Sequence, residues 1–340
     1  MRYSITKSIG QRAKGQGQSV LSPIPYSLFP ILTMLLAFLL LTAVNVEAEE
    51  QFKAPIPSTE FEYMEYFPLY PTYSWQPIAN TKFYEVQVIR QEGSSETVYR
   101  DLTNTEALDR VTDSKPFTEV GNYYWQVRVT DKSGNPLSPW SIKKYFKVTA
   151  PVTFAALGDS ITHGGASFIP AGQLSCQWET FCDVPVKNLG RSGDTTEMML
   201  ERFDRDVLPF KPKVLLILGG VNDIRGGKKA EEVIKNLTAI NEKCLANDIT
   251  PVFVAITSMN PQIIKAYLTD SDWQRERVKL NQWINENPYS LDFNELLNDS
   301  DGYLKVEYTP DGLHPNLRGK QIMGEVINEY LQEAFPELLQ

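Results

Sequence analysis

The sequence predicts a mixed chain: an α/β domain of three layers with a parallel sheet at its centre, preceded by a small all-β sandwich. Three observations carry this. From about Tyr73 to Val148 apolar residues recur at every second position, the period of a strand with one buried face. After Ala150-Pro151, short unbroken apolar runs alternate with stretches of helical period, the pattern of a parallel sheet covered on both faces. Turns bearing Gly, Ser, Asn and Asp follow where those runs end. In an open α/β sheet that is the strand edge at which ligands bind.

The chain has 340 residues, 42% of them apolar and 22% charged, with room for two domains. Arg2, Lys7, Arg12 and Lys14 precede an apolar run over residues 28–44, and Val46-Glu47-Ala48 follows. This fits a secretory signal peptide over 1–48, cleaved after a small-x-small pattern; the alternative is an uncleaved signal anchor. Either way the folded part is expected to be secreted or extracytoplasmic. Beyond residue 48 there are 29 basic and 41 acidic residues, a charge of −12. That argues against nucleic acid and anionic lipid as partners. Beyond an uncleaved anchor, no membrane association is expected.

Residues 49–70 read as a linker or a first strand, 71–149 as the sandwich and 150–340 as the α/β domain. In the sandwich, Phe83-Tyr-Glu-Val-Gln-Val-Ile alternates, as does Tyr123-Tyr-Trp-Gln-Val-Arg-Val. A turn at 131–136 leads to a strand ending at Val148. With Pro139-Trp140-Ser141 this pattern resembles a fibronectin type III or immunoglobulin-like module. In the second domain, strands are expected at 152–157, 184–188, 213–218 and 251–256, and helices at 195–208, 228–246, 273–286 and 318–333.

There are three cysteines and two histidines. In an exported protein Cys176 and Cys182 are expected to close a small disulfide loop. Cys244 continues an apolar helical stripe and reads as an inert core thiol. Two histidines cannot build a His-rich metal cluster, and no cysteine spacing suggests zinc.

Four stretches carry chemistry: Gly158-Asp159-Ser160; Asn188-Leu-Gly190-Arg-Ser-Gly193-Asp194; Gly219-Gly220-Val221-Asn222-Asp223; and Asp311-Gly312-Leu313-His314-Pro315. Taken alone, Asp159-Ser160 could simply cap a helix. The four in this order resemble the SGNH hydrolases, also called GDSL esterases and lipases, over roughly 152–333. Ile161 stands where many members carry Leu. The G-x-S-x-G elbow of the α/β-hydrolases is absent around Ser160, and Ser192 is flanked by glycine on one side only. The resemblance implies a flavodoxin-like three-layer fold and an ester hydrolase without metal or organic cofactor.

Within that resemblance Ser160 is the nucleophile, His314 the base and Asp311 the residue that orients it. The implied oxyanion donors are the backbone N–H groups of Ser160 and Gly193 and the side-chain amide of Asn222. Asp159 and Asp223 read as structural, holding loops. His163, three residues past Ser160, is a candidate for substrate contact. The expected substrate is a small ester, or acetyl groups on a polysaccharide or glycan. Trp75 and Trp140 are aromatic candidates for sugar stacking or for core packing. Rival readings are a lipase or lysophospholipase of the same family, and a catalytically silent polysaccharide-binding protein.

Overall fold

The computed structural model describes residues 51–165, 177–264 and 272–339. The basic and apolar segment 1–48 lies outside the described residues, as does Cys176.

Six strands form the sandwich: β1 (Thr72–Ser74), β2 (Phe83–Glu92), β3 (Ser95–Glu106), β4 (Arg110–Thr112), β5 (Gly121–Val129) and β6 (Lys144–Val148). One antiparallel sheet runs β3-β2-β5-β6 and the other pairs β1 with β4. The alternation puts Tyr84, Val86 and Val88 of β2 and Tyr123, Trp125, Val127 and Val129 of β5 in the core. Tyr73 of β1 meets Trp125 of β5 at a ring separation of 5.2 Å, closing the two sheets on each other. Trp75 is buried there as well, so packing, not sugar stacking, is its use. Trp140 is half-buried, with the Arg128 guanidinium 4.2 Å above its ring.

Residues 51–71 contribute one isolated bridge, Pro57 to Trp75, and a single 3-10 turn, Phe61–Tyr63. They are nonetheless well packed: Phe61, Phe67, Leu69 and Tyr70 are all buried.

The α/β domain follows as β7 (Phe154–Gly158), α1 (Ser160–His163), β8 (Val186–Gly190), α2 (Thr196–Asp206), β9 (Val214–Leu218), α3 (Val221–Arg225), α4 (Ala230–Leu245), β10 (Thr250–Val254), α5 (Pro261–Ile264), α6 (Trp273–Asn285), β11 (Ser290–Leu291), α7 (Asn294–Leu297) and α8 (Leu317–Ala334). The sheet order is β11-β10-β9-β7-β8, and every pairing is parallel. Counted along the domain this is 2-1-3-4-5, the flavodoxin-like order. The chain reverses direction across the sheet between β7 and β9, so a crevice opens beyond their carboxyl ends.

Every residue of β7, β8 and β9 is buried, which explains the unbroken apolar runs of β7 and β9; β8 buries Lys187 and Asn188 as well. Helices α2, α4 and α6 pack in series, α2 on α4 and α4 on α6. Helix α8 packs on the turn Trp178–Phe181. Gly324 allows the close approach, since a Cβ there would lie 2.7 Å from that of Phe181.

The short fifth strand, β11, was not expected. It has two residues and pairs only Ser290 and Leu291 with Phe253 and Val254, too little to show a period. The disulfide expected between Cys176 and Cys182 involves a residue outside those described; Cys182 carries a free thiol, whose Sγ donates to the Gly324 carbonyl at 3.2 Å. Burial pushes this thiol well above its ordinary range. Cys244 is free and buried in α4, with its thiol raised to about 12 by burial.

Candidate active site

Ser160 opens α1 directly after β7. Asp159 caps this helix, its Oδ1 accepting the Ile161 N–H at 2.8 Å. The capping reading of Asp159-Ser160 is therefore correct for Asp159. The serine side chain goes elsewhere: its Oγ lies 2.8 Å from His314 Nε2. Burial raises the Asp159 carboxyl to about 6.

His314 Nδ1 lies 2.7 Å from Asp311 Oδ2. The other carboxylate oxygen accepts the backbone N–H groups of His314 at 2.8 Å and Leu313 at 3.0 Å. One loop turn thus presents both side chains, as the three-residue spacing requires. Partial burial pushes the Asp311 carboxyl up, but the ring and backbone donors of His314 outweigh it and hold the group far below the usual carboxylate range. An ionised Asp311 only accepts, so Nδ1 carries the imidazole proton. The Nε2 lone pair then faces Ser160, whose hydroxyl donates to it.

The second and third stretches meet beside this line. Asn188 holds β8 to α1: its Nδ2 donates to the Thr162 carbonyl at 2.7 Å, and its Oδ1 accepts the Gly190 N–H at 2.9 Å. The following turn is tied to the end of β7 by Arg191 N–H to Gly158 O, 2.9 Å. Gly193 sits in this turn at φ +88°, and a Cβ placed there would meet nothing within 4 Å. Its backbone is therefore open to whatever enters the crevice. Asn222, in α3 after β9, donates from Nδ2 to the Asp194 carbonyl at 2.9 Å. That leaves its second amide hydrogen for another acceptor. Asp223 accepts the backbone N–H and hydroxyl of Thr196 at 2.8 and 3.0 Å. Ser160 and Asn222 are each 9% exposed.

His163 does not line a substrate pocket. It is 3% exposed and both ring nitrogens are taken. Nε2 lies 2.7 Å from the Tyr70 carbonyl, and Nδ1 accepts the Ser192 N–H at 3.2 Å and lies 3.0 Å from its hydroxyl. A carbonyl only accepts, so Nε2 carries the proton. Burial lowers this histidine to about 4 and keeps it neutral. Its position one turn past Ser160 suggested the pocket; the fold turns it toward the sandwich instead.

Sequence reasoning missed the buried charges around the site. Arg202 donates to Asp194 at 2.5 Å, to Asp206 at 3.3 Å and to the Gly158 carbonyl at 3.0 Å. Lys320 of α8 donates to the Ile161 carbonyl. Only the four-residue step from Arg202 to Asp206 left a trace in the sequence.

A family model described as GDSL-like lipase/acylhydrolase matches residues 156–322. This part of the chain belongs to the GDSL-like family. Membership makes the chain a hydrolase, of the kind that acts on esters. Residues 69–150 match the model of a Rha78A-like, N-terminal immunoglobulin domain, so the GDSL-like domain carries an immunoglobulin-like sandwich before it. Solved structures similar to this chain include a GDSL-like lipase from Bacteroides thetaiotaomicron, 21% identical, covering 55% of this chain and 93% of its own at a TM-score of 0.46. A lipase/acylhydrolase from Enterococcus faecalis is 23% identical over 54% of this chain and 96% of its own, TM-score 0.45. A psychrotrophic esterase from Pseudoalteromonas is 21% identical over 54% and 98%, TM-score 0.40. No curated protein matches the chain.

Proposed function

We propose that the protein is an exported serine esterase that removes acetyl groups from an extracellular carbohydrate through an acyl-enzyme on Ser160. The observation that carries the catalytic part is the unbroken line from Ser160 Oγ to His314 Nε2 and from His314 Nδ1 to Asp311. Ser160 Oγ attacks the acyl carbon while its proton passes to His314 Nε2. The oxyanion that forms is held by the N–H groups of Ser160 and Gly193 and the free amide hydrogen of Asn222. The bond to the alcohol oxygen then breaks, and His314 returns the proton to that oxygen. Water repeats the sequence on the acyl-enzyme and releases the acid. Asp311 keeps the tautomer and stabilises the imidazolium throughout.

The choice of substrate rests on less specific features. The basic and apolar segment over residues 1–48 and the module ahead of the hydrolase suit an enzyme that meets a polymer outside the cell. The acidic balance of the rest of the chain disfavours anionic membrane surfaces.

The test is hydrolysis of p-nitrophenyl acetate, butyrate and octanoate by the chain from residue 49, with Ser160→Ala alongside. Hydrolysis of acetate alone, lost in the variant, is the expected result, and release of acetate from acetylated glycans is then measured. Preference for octanoate would replace the carbohydrate reading with a lipid one. Full activity in Ser160→Ala would overturn the mechanism.

A further inference from the structure

Residues 67–71 form a buried stretch that is bonded to both the sandwich and the hydrolase. On the sandwich side the Leu69 carbonyl accepts the Phe117 N–H at 2.9 Å, and the Pro71 carbonyl accepts that of Asp113 at 2.9 Å. On the hydrolase side the Leu69 N–H donates to the Asn188 carbonyl in β8 at 3.0 Å. The Phe67 carbonyl accepts from the buried Lys187 ammonium at 2.5 Å.

Tyr70 reaches further than its neighbours, by two routes that end on either side of Gly193. Its carbonyl accepts a hydrogen bond from His163 Nε2–H, and His163 Nδ1 accepts one from the backbone N–H of Ser192. Its hydroxyl donates to Asp206 at 2.7 Å. Asp206 pairs with Arg202, which in turn holds the Asp194 carboxylate. Residues 192 and 194 flank the glycine whose N–H is an oxyanion donor. The Asp194 carbonyl also anchors the amide of Asn222, the neighbouring donor.

Resting on the reading of Ser160 as nucleophile, we propose that Tyr70 and His163 are positioning residues for the oxyanion donors. The stretch that opens the immunoglobulin-like module is then a working part of the hydrolase. Neither residue touches substrate. Both fix the turn over residues 192–194, and with it the direction of the Gly193 N–H. A donor displaced by about 1 Å loses much of its value in the transition state, on the order of 10²-fold in rate.

The experiment compares the full chain with His163→Phe and Tyr70→Phe. The readouts are kcat and KM on p-nitrophenyl acetate, with active sites counted by end-point labelling with a fluorophosphonate. The expected result is a fall in kcat per labelled site of about 10- to 100-fold for His163→Phe and less for Tyr70→Phe, with KM nearly unchanged. A merely structural role would lower the number of labelled sites and leave kcat per site alone, and that outcome in both variants would overturn the proposal. If His163→Phe does not fold, Tyr70→Phe, which keeps the backbone carbonyl, decides by the same criterion. Activity that survives Ser160→Ala would instead remove the reading on which the proposal rests.

Discussion

Gly190 ends β8 where α1 crosses it, and one added methyl should disturb both stability and rate. A Cβ at residue 190 would stand 2.8 Å from the Thr162 carbonyl carbon and 2.9 Å from Thr162 Cβ, and closer still to the His163 backbone nitrogen. These are chiefly backbone atoms of the helix that carries Ser160, so no side chain can swing away. Restoring ordinary contacts of about 3.4 Å or more moves α1 from β8 by roughly 0.5–1 Å. Overpacking of this kind costs about 1–3 kcal/mol, a fall in Tm of a few degrees for a chain of this size. The same displacement acts on the 2.8 Å contact between Ser160 and His314, so kcat should fall by about 10²-fold. Urea unfolding and p-nitrophenyl acetate kinetics read the two effects. Gly93→Ala is the control: it lies in the β2–β3 turn at φ +62° with nothing within 4 Å of the new Cβ. It should cost about 1–2 kcal/mol in backbone strain and leave kcat alone. If Gly190→Ala kept the parent stability and kcat, the tight seating of α1 on β8 would be refuted as the source of serine placement.

Asn222→Ala should lower kcat by about 10²–10³-fold with little change in KM, as loss of one oxyanion donor does; unchanged kcat would remove Asn222 from that role. Asp311→Asn should lower kcat by about 10⁴-fold by releasing the His314 tautomer, and a loss under tenfold would show that the loop backbone alone orients the ring. Lys187→Met tests a buried charge. Burial lowers this amine from 10.5 to about 7. Below pH 7 it is charged in both native and unfolded states, and the native state bears the full burial cost, about 5 kcal/mol. Between pH 7 and 10.5 the unfolded chain keeps a proton that the native state lacks. Native stability therefore rises with pH across that window, and the cost is gone above it. The variant should gain most over the parent at pH 6.5 and least at pH 10. Equal gains in urea denaturation at both would contradict the assignment.

Most of the α/β domain was legible because its strands are buried on both faces and its long helices show a clean apolar stripe. The expected helix at 273–286, for example, is observed as Trp273–Asn285. Ser160, Asp311 and His314 were legible because they lie in short motifs set by turn geometry. The rest depends on contacts that leave no local pattern. β3 is a largely polar edge strand with little period to read. Tyr70 and Asp206 are 136 residues apart, and nothing in either neighbourhood predicts their meeting. His163 has the sequence context of a pocket residue; only the packing of residues 67–71 reveals where it points.

The buried joint also governs how the molecule melts. Modules on a flexible tether would unfold independently and give two heat-absorption peaks. Here Leu69 donates to one module and accepts from the other, and the charges beneath Tyr70 are buried by both. Separating them would strand Lys187 and Asp206 in half-open cavities, so neither body has a satisfied surface of its own. Calorimetry should therefore record a single peak, with van't Hoff and calorimetric enthalpies in agreement. Two resolved peaks would mean that the joint yields first.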